Sequence, residues 1–171
     1  FSHGGHLFAC QNQTFIQVYK FYTAELPVQY LFKSHMGHIR SIAWLDDDTG
    51  FVSSAGDSTI NVWKLNPAEN EVNPIWHYKL KNVDFTCVAT FKPEGEKNSL
   101  VYATGQDKTI RELSSGKKGV GFEEYRFEQN VTLSQIALLR DRKAMFTGVN
   151  ETNKPGSIQV IKYLFDKIDE V

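Results

Sequence analysis

The sequence predicts an all-β protein built from several antiparallel sheets, and three observations support this fold class. Its apolar residues occur in short runs rich in Val, Ile, Tyr, Phe and Thr, which favour strands. These runs alternate with clusters of Gly, Asn, Asp and Pro that favour turns, and helical periodicity is nearly absent. With 171 residues, of which 41% are hydrophobic and 13% aromatic, the chain can bury a sizeable core.

Two strand-like motifs recur at a common spacing, and this regularity predicts a tandem repeat. The first motif ends in a large apolar residue, and its four copies end at Tyr19, Trp63, Leu113 and Ile161. These end points are separated by 44, 50 and 48 residues. The second motif is centred on Ile42, Val88 and Ile136, with spacings of 46 and 48 residues. A repeat of about 45 residues that holds four strands is typical of the blades of a β-propeller.

The repeat divides the chain into four blades. The first is a remnant, 1–35, which opens with the end of a strand and its turn and has predicted strands at 6–11, 15–21 and 28–32. The second blade, 36–82, has predicted strands at 39–44, 51–55, 59–64 and 74–80. The third, 83–129, has them at 86–91, 100–104, 109–113 and 123–127, and the partial fourth, 130–171, at 133–138, 144–149 and 157–163. The sequence thus predicts about three and a half four-stranded antiparallel blades of a larger ring.

The segment 37–64 resembles the WD-repeat family of β-propellers. Gly37-His38 stands where the family has a Gly-His pair, and Trp63-Lys64 stands where it has Trp-Asp, with Lys64 a departure. In that family a His, a strand Ser or Thr, a turn Asp and the Trp form a buried hydrogen-bonded set. By position, the resemblance implies that this set is His38, Ser53, Asp57 and Trp63. A buried carboxylate needs donors, and an imidazole N–H supplies one, so the implied role is structural.

The third and fourth blades depart from this pattern. The third keeps Asp107 at the turn, but Ala103 stands in place of the Ser and Leu113 in place of the Trp. Asp84-Phe85 replaces the Gly-His pair there. We therefore expect apolar packing to take over from the polar network in these blades.

A narrower resemblance covers nearly the whole chain. The opening FSHGGHLFA, the stretch HIRSIAW and the closing GSIQVIKY resemble a WD-repeat family of cilia- and flagella-associated proteins. The resemblance implies a non-catalytic scaffold of the ciliary or flagellar axoneme that helps to dock or regulate inner dynein arms. The implied partners are inner dynein arms, the nexin–dynein regulatory complex, tubulin and the remaining blades of the same full-length protein. A general cytosolic WD-repeat adaptor is the alternative, and a propeller enzyme would need polar ligands converging at the ring axis.

Charge and cysteine content exclude several other classes of partner. The formal net charge is −1, from 19 basic and 20 acidic side chains, so no bulk field favours nucleic acid or an anionic membrane. Cys10 and Cys87 lie in apolar strand-like runs, which fits free thiols in a reducing compartment. We expect no cofactor.

Four clusters contain side chains that could support catalysis or ligand binding, but each is better explained by a structural role. His3, His6 and Cys10 lack the fourth ligand of a structural zinc site. The acidic stretch 46–48 lacks the spacing of a calcium loop, and 116–121 lacks the Ser or Thr and the helix of a phosphate loop. The members of a hydrolase triad, His38, Ser53 and Asp57, are accounted for by the repeat and have no accompanying oxyanion hole. No catalytic or metal-binding residue is predicted.

Partner contacts are predicted on three connections that are long and differ in composition between blades, 66–73, 114–121 and 149–155. The candidate contact residues are Asn70, Asn73, Lys117, Lys118, Asn150, Asn153 and Lys154. Because an incomplete ring exposes unpaired strand edges, we also expect this stretch to aggregate when it is separated from its neighbouring blades.

Overall fold

The computed structural model describes residues 1–22, 28–65, 73–95, 97–116, 119–126, 131–138, 144–151 and 156–162. These residues form fourteen β-strands in four antiparallel sheets, which confirms the all-β class. None of the described ranges holds a helix long and apolar enough to cross a membrane.

Each sheet is a meander in which strands that follow one another along the chain lie side by side. The first sheet contains β1 (Leu7–Asn12), β2 (Phe15–Lys20) and β3 (Val28–Lys33). The second contains β4 (Ile39–Trp44), β5 (Gly50–Ala55), β6 (Thr59–Lys64) and β7 (Trp76–Lys79). The third contains β8 (Phe85–Phe91), β9 (Leu100–Gly105), β10 (Thr109–Gly116) and β11 (Gly119–Arg126). The fourth contains β12 (Val131–Leu138), β13 (Ala144–Glu151) and β14 (Ser157–Lys162).

Apolar layers between neighbouring sheets form the core, because alternate residues of each strand face the adjacent sheet. Between the first and second sheets, Ile16, Val18 and Phe32 pack with Phe51 and Trp63. A second layer joins the second sheet to the third, and a third layer joins the third to the fourth. Strands β4, β8 and β12 contact one another in turn, so they line the same side of the array.

A β-bulge recurs in the second, third and fourth sheets, at the start of the leading strand. The register shifts between Ile39 and Ser41, between Phe85 and Cys87, and between Leu133 and Gln135. A bulge turns one side chain out of the regular alternation. In two sheets this side chain reaches the next sheet. Arg40 contacts Asp84 at 3.5 Å, and the Thr86 hydroxyl donates to the Leu133 carbonyl at 2.6 Å.

Two of the predicted loops begin with residues that are strand in the structure. Strand β10 continues to Gly116 and β11 begins at Gly119, with Ser114 opposite Gly121, so the described part of 114–121 is paired strand. Strand β13 likewise continues to Glu151, and its last residues pair with β12. Backbone pairing with a neighbouring strand extends these elements beyond their apolar runs. The pattern of side chains alone does not report such pairing.

Candidate functional site

A buried hydrogen-bonded network lies at one end of the second sheet. The Trp63 indole N–H donates to the Ser53 hydroxyl at 2.8 Å, and Ser53 lies 2.7 Å from Nε2 of His35. The other ring nitrogen of His35, Nδ1, lies 2.9 Å from the Thr59 hydroxyl and 3.4 Å from the Asp57 carboxylate. His35, Ser53 and Trp63 are each at most 7% exposed. The network therefore joins the strand β3–β4 connection to strands β5 and β6.

The partners fix the direction of each hydrogen bond. The Thr59 hydroxyl donates to Oδ1 of Asp57, so its oxygen accepts the proton on Nδ1 of His35. Nε2 is then unprotonated and accepts from the Ser53 hydroxyl, whose oxygen accepts from Trp63. The backbone N–H of Met36 donates to Oδ2 of Asp57 at 2.7 Å. Every polar group in the chain from Trp63 to Asp57 is satisfied with a neutral histidine.

The electrostatics agree with this assignment. Burial lowers the pKa of His35, and the nearby Asp57 carboxylate offsets that effect only in part. For Asp57 itself burial acts to raise the pKa, but hydrogen bonds from Thr59 and Met36, together with His35, hold it below its ordinary value. At neutral pH the network thus contains a neutral imidazole and an ionised carboxylate.

The sequence predicts His38 in this network, and the structure corrects that residue to His35. His38 is exposed, and its backbone carbonyl accepts from the Gly56 N–H at 2.9 Å. Gly37 explains the difference, because a Cβ at this position would lie 2.6 Å from the Asp57 nitrogen. The chain runs directly over the β5–β6 turn at Gly37. The residue that enters the interior precedes this crossing, and His38 follows it. The sequence signal for this alternative is a pair of histidines three residues apart, one on each side of a glycine, because either could enter the network.

The other three predicted members, Ser53, Asp57 and Trp63, lie together with His35. Asp57, His35 and Ser53 follow one another in the order of a hydrolase triad. Ser53 is 0% exposed, however, and its oxygen already accepts the Trp63 N–H, so no substrate can reach it. The arrangement locks the sheet and offers no open site for chemistry.

The third sheet holds its corresponding turn in a different way. Arg111, which is 3% exposed, makes a two-point ion pair with Asp107, and its Nη1 lies 3.1 Å from Oδ1. The guanidinium also lies over the Phe85 ring, 5.9 Å from its centroid. Burial acts to raise the pKa of Asp107, but Arg111 holds it below its ordinary value. The expectation of purely apolar packing is therefore wrong for this sheet, although Ala103 and Leu113 are fully buried as that expectation requires.

Polar contacts between sheets involve two of the clusters that the sequence singled out. The backbone N–H groups of His3 and Gly4 donate to the Asp48 carboxylate at 2.7 Å each, and Lys92 pairs with Asp47 at 3.3 Å. The acidic stretch 46–48 therefore joins neighbouring sheets and is more than a solvated turn. Within the described ranges no group of three His, Cys, Asp or Glu side chains is placed to hold a metal ion.

The candidate contact residues fall largely beyond the described ranges. Asn73 is exposed where the chain enters β7, and Asn150 lies in β13 opposite Thr132. The other five, Asn70, Lys117, Lys118, Asn153 and Lys154, lie outside the described residues.

Comparison with known proteins identifies a repeat in this chain and its fold. The family model for the WD domain, G-beta repeat, matches residues 27–64, the range that contains the whole network of the second sheet. A solved structure, the Cps50 (Swd1) β-propeller domain of Myceliophteria thermophila, superposes on 95% of this chain and 50% of its own, with a TM-score of 0.74 and 9% identity. Residues 27–64 of the chain are a WD repeat. The chain's sheets are blades of a β-propeller. At 9% identity the structural likeness supports the fold alone.

Curated relatives of this chain come from two distant organisms. It is 30% identical to the cilia- and flagella-associated proteins 57 A and 57 C of Tetrahymena thermophila, over 96% and 95% of the chain. It is also 30% identical to cilia- and flagella-associated protein 57 of Mus musculus, over 95% of the chain. The chain spans between 12% and 15% of the length of these relatives.

Proposed function

We propose that this protein is a non-catalytic scaffold of the ciliary or flagellar axoneme. The observation that carries the proposal is the 30% identity, over nearly the whole chain, to relatives from a ciliate and a mammal that are both named for cilia and flagella. The match extends beyond the WD repeat itself, which covers residues 27–64. A shared propeller fold would not by itself produce that likeness, since the Cps50 propeller has the same fold at 9% identity.

The geometry of the second and third sheets supports a scaffold in preference to an enzyme. Their polar clusters are turned inward, with Ser53 and Thr104 fully buried and Arg111 almost so, and both turn carboxylates are occupied by internal partners. Such groups stiffen the blades and leave the surface and the connections to make contacts. On this proposal the partners are inner dynein arms, the nexin–dynein regulatory complex and tubulin, together with further blades of the same ring.

Localisation in a ciliated cell tests the axonemal role. The tagged full-length protein should remain with the microtubule fraction after the ciliary membrane is removed with detergent, and should leave it only with high salt. Recovery in the soluble cytosol, with none in the cilium, would instead indicate the general adaptor and would overturn the proposal.

A deletion of the gene tests the finer role in dynein docking. We expect cilia of normal length that beat with altered waveform and that lack a subset of inner dynein arms in cross-section. Cilia with complete inner arms would leave the axonemal scaffold standing and would remove dynein docking from its role.

A further inference from the structure

A groove of about 340 Å³ opens between the second and third sheets, at the end opposite to the His35 network. Its floor is apolar and consists of Leu45, Val62, Trp76 and Val101. Val62 and Val101 are almost fully buried, and Trp76 is partly exposed. Ile75 stands at its edge with 57% of its surface exposed. The size lies in the range of pockets that bind small molecules or peptide side chains.

The described polar residues at the rim of the groove carry an excess of positive charge. Lys64 and Lys97 both line it, both are exposed, and neither forms an ion pair within the described part of the chain. Among the described residues of the lining the acidic one is Asp47, and it is neutralised from within the protein. Its Oδ1 accepts from the Thr49 hydroxyl at 2.6 Å, and its Oδ2 pairs with Lys92 at 3.3 Å.

We propose that this groove binds an extended acidic peptide segment of a partner protein. Two apolar side chains of the segment would lie on the floor against Trp76 and Val101, and its carboxylates would lie on Lys64 and Lys97. Burying the exposed Ile75 and the floor supplies affinity, while the two lysines supply the preference for an acidic partner. A basic or neutral segment would leave both lysines uncompensated.

The shape of the groove favours an extended peptide over a helix. It is formed where the ends of β4 and β6, the start of β7 and the segment that leads into β9 converge, so it follows the seam between two sheets. In an extended peptide alternate side chains point the same way. Two apolar residues separated by one acidic residue would then face the floor together, with the intervening carboxylates directed to the rim.

The test is fluorescence anisotropy with the protein at its full length and a labelled octapeptide, Glu-Asp-Glu-Leu-Asp-Leu-Glu-Asp. Two matched peptides isolate the contributions, one with both Leu replaced by Ser and one with every acidic residue replaced by Lys. We expect the Leu-containing acidic peptide to bind, the Ser peptide to bind at least about tenfold more weakly, and the Lys peptide not to bind. Affinity should fall as the salt concentration rises from about 50 to about 200 mM, as charge complementarity requires.

Two pairs of substitutions locate the binding surface. Lys64→Glu with Lys97→Glu reverses both rim charges and should weaken binding by about tenfold or more. Lys79→Glu with Lys81→Glu makes the same change in net charge at the opposite end of the second sheet, where Lys79 pairs with Thr59, and should change binding less than about twofold. Ile75→Ala tests the apolar edge without adding a charge, and we expect about a threefold loss. Far-ultraviolet circular dichroism establishes that each variant is folded.

Three results would overturn the proposal: equal binding of the Leu and Ser peptides, equal weakening by both pairs of substitutions, or no binding of the acidic peptide at millimolar concentration. The first two would reduce the effect to general charge attraction. The proposal concerns a surface that the axonemal role does not specify. Because peptide binding is measured on purified protein, its failure is separable from a failure of the protein to reach the axoneme.

Discussion

The second and third sheets hold the same turn by two different chemistries. In both, three residues link the middle strands, the central one is an aspartate, and the next has a positive φ, 66° at Ser58 and 65° at Lys108. In the second sheet the aspartate is held by a neutral histidine from the preceding connection, through Thr59. In the third it is held by Arg111, which lies on the strand directly after the turn.

This difference changes which parts of the chain are tied together. His35 lies before β4, so its network links three segments of the second sheet and reaches Trp63 in the core. Arg111 is only four residues from Asp107, so this ion pair is local to the turn and the strand that follows it. The third sheet then needs no Ser or Trp, and Ala103 and Leu113 fill their places. We expect the second sheet to be the more cooperative unit and the third to respond to substitutions more locally.

Trp63→Ala should have the largest effect. The side chain is fully buried, packs against Phe32 with ring centroids 5.2 Å apart, and donates to Ser53. Truncation leaves a large cavity and an unsatisfied hydroxyl, which costs about 3–5 kcal/mol of unfolding free energy. Urea unfolding followed by far-ultraviolet circular dichroism measures this cost. Leu113→Ala is the matched change in the third sheet and should cost less, about 2–3 kcal/mol, because no hydrogen bond is lost. Equal losses would mean that the network adds nothing to packing.

Arg111→Met should cause the next largest loss of unfolding free energy. It keeps the aliphatic length over Phe85 but leaves the Asp107 carboxylate, which is 26% exposed, without its cation. Breaking a fully buried pair costs about 3–5 kcal/mol, and partial exposure reduces this to about 2 kcal/mol. A second change, Asp107→Asn, should recover much of the loss because it removes the charge left behind. If Asp107→Asn makes the Met variant still less stable, the ion pair is not what holds this turn.

The two sheets should also differ in their response to pH. Burial holds the pKa of His35 below 6.5, so the unfolded chain takes up a proton that the folded chain does not as the pH falls below 6.5. The stability of the second sheet should therefore fall in mild acid, by at most about 1.4 kcal/mol per pH unit. The third sheet relies on Asp107, whose pKa lies below 3.8, and should hold until stronger acid.

Amide hydrogen exchange at about pH 7 and about pH 5.5 distinguishes the two responses. Protection in β5 and β6 should decrease relative to β9 and β10 at the lower pH. His35→Gln should abolish the difference, whereas His77→Gln, at an exposed position on β7, should leave it in place. A pH response that survives His35→Gln would assign it to another group.

The repeat could be predicted from the sequence because it rests on periodicity, which survives loose matching of single blades. The spacing of the motifs that contain Trp63 and Leu113 predicts how the chain divides into sheets. The Trp63 motif predicts the resemblance to WD repeats. The side chains that hold the turn aspartate of each sheet were harder to predict. Choosing between His35 and His38 depended on where the backbone crosses the turn, which Gly37 sets by close approach. Arg111 was not predicted as a partner, because an arginine in a strand ordinarily points to solvent.

The groove between the second and third sheets could not be read from the sequence for a related reason. Its floor residues Leu45, Val62 and Val101 come from separate segments and appear as ordinary strand positions. Only the packing of two sheets brings them together beside Lys64 and Lys97. The long connections, which composition made conspicuous, are in two cases shorter than predicted because β10 and β13 extend into them.

The smallest and most discriminating change is a comparison of two threonines in equivalent positions. The Thr59 hydroxyl bridges His35 and Asp57, whereas the Thr109 hydroxyl interacts with Asp107 itself, lying 3.2 Å from its backbone carbonyl and also hydrogen-bonding its carboxylate. Valine has nearly the same shape, so each substitution removes a hydroxyl and little else. Thr59→Val should cost about 1–2 kcal/mol, since it leaves both His35 and Asp57 short of a partner, and Thr109→Val should cost about 0.5 kcal/mol. Urea midpoints at constant slope would measure the difference. Equal losses of stability would show that each turn is held only by local contacts. The network of the second sheet would then not act as a unit.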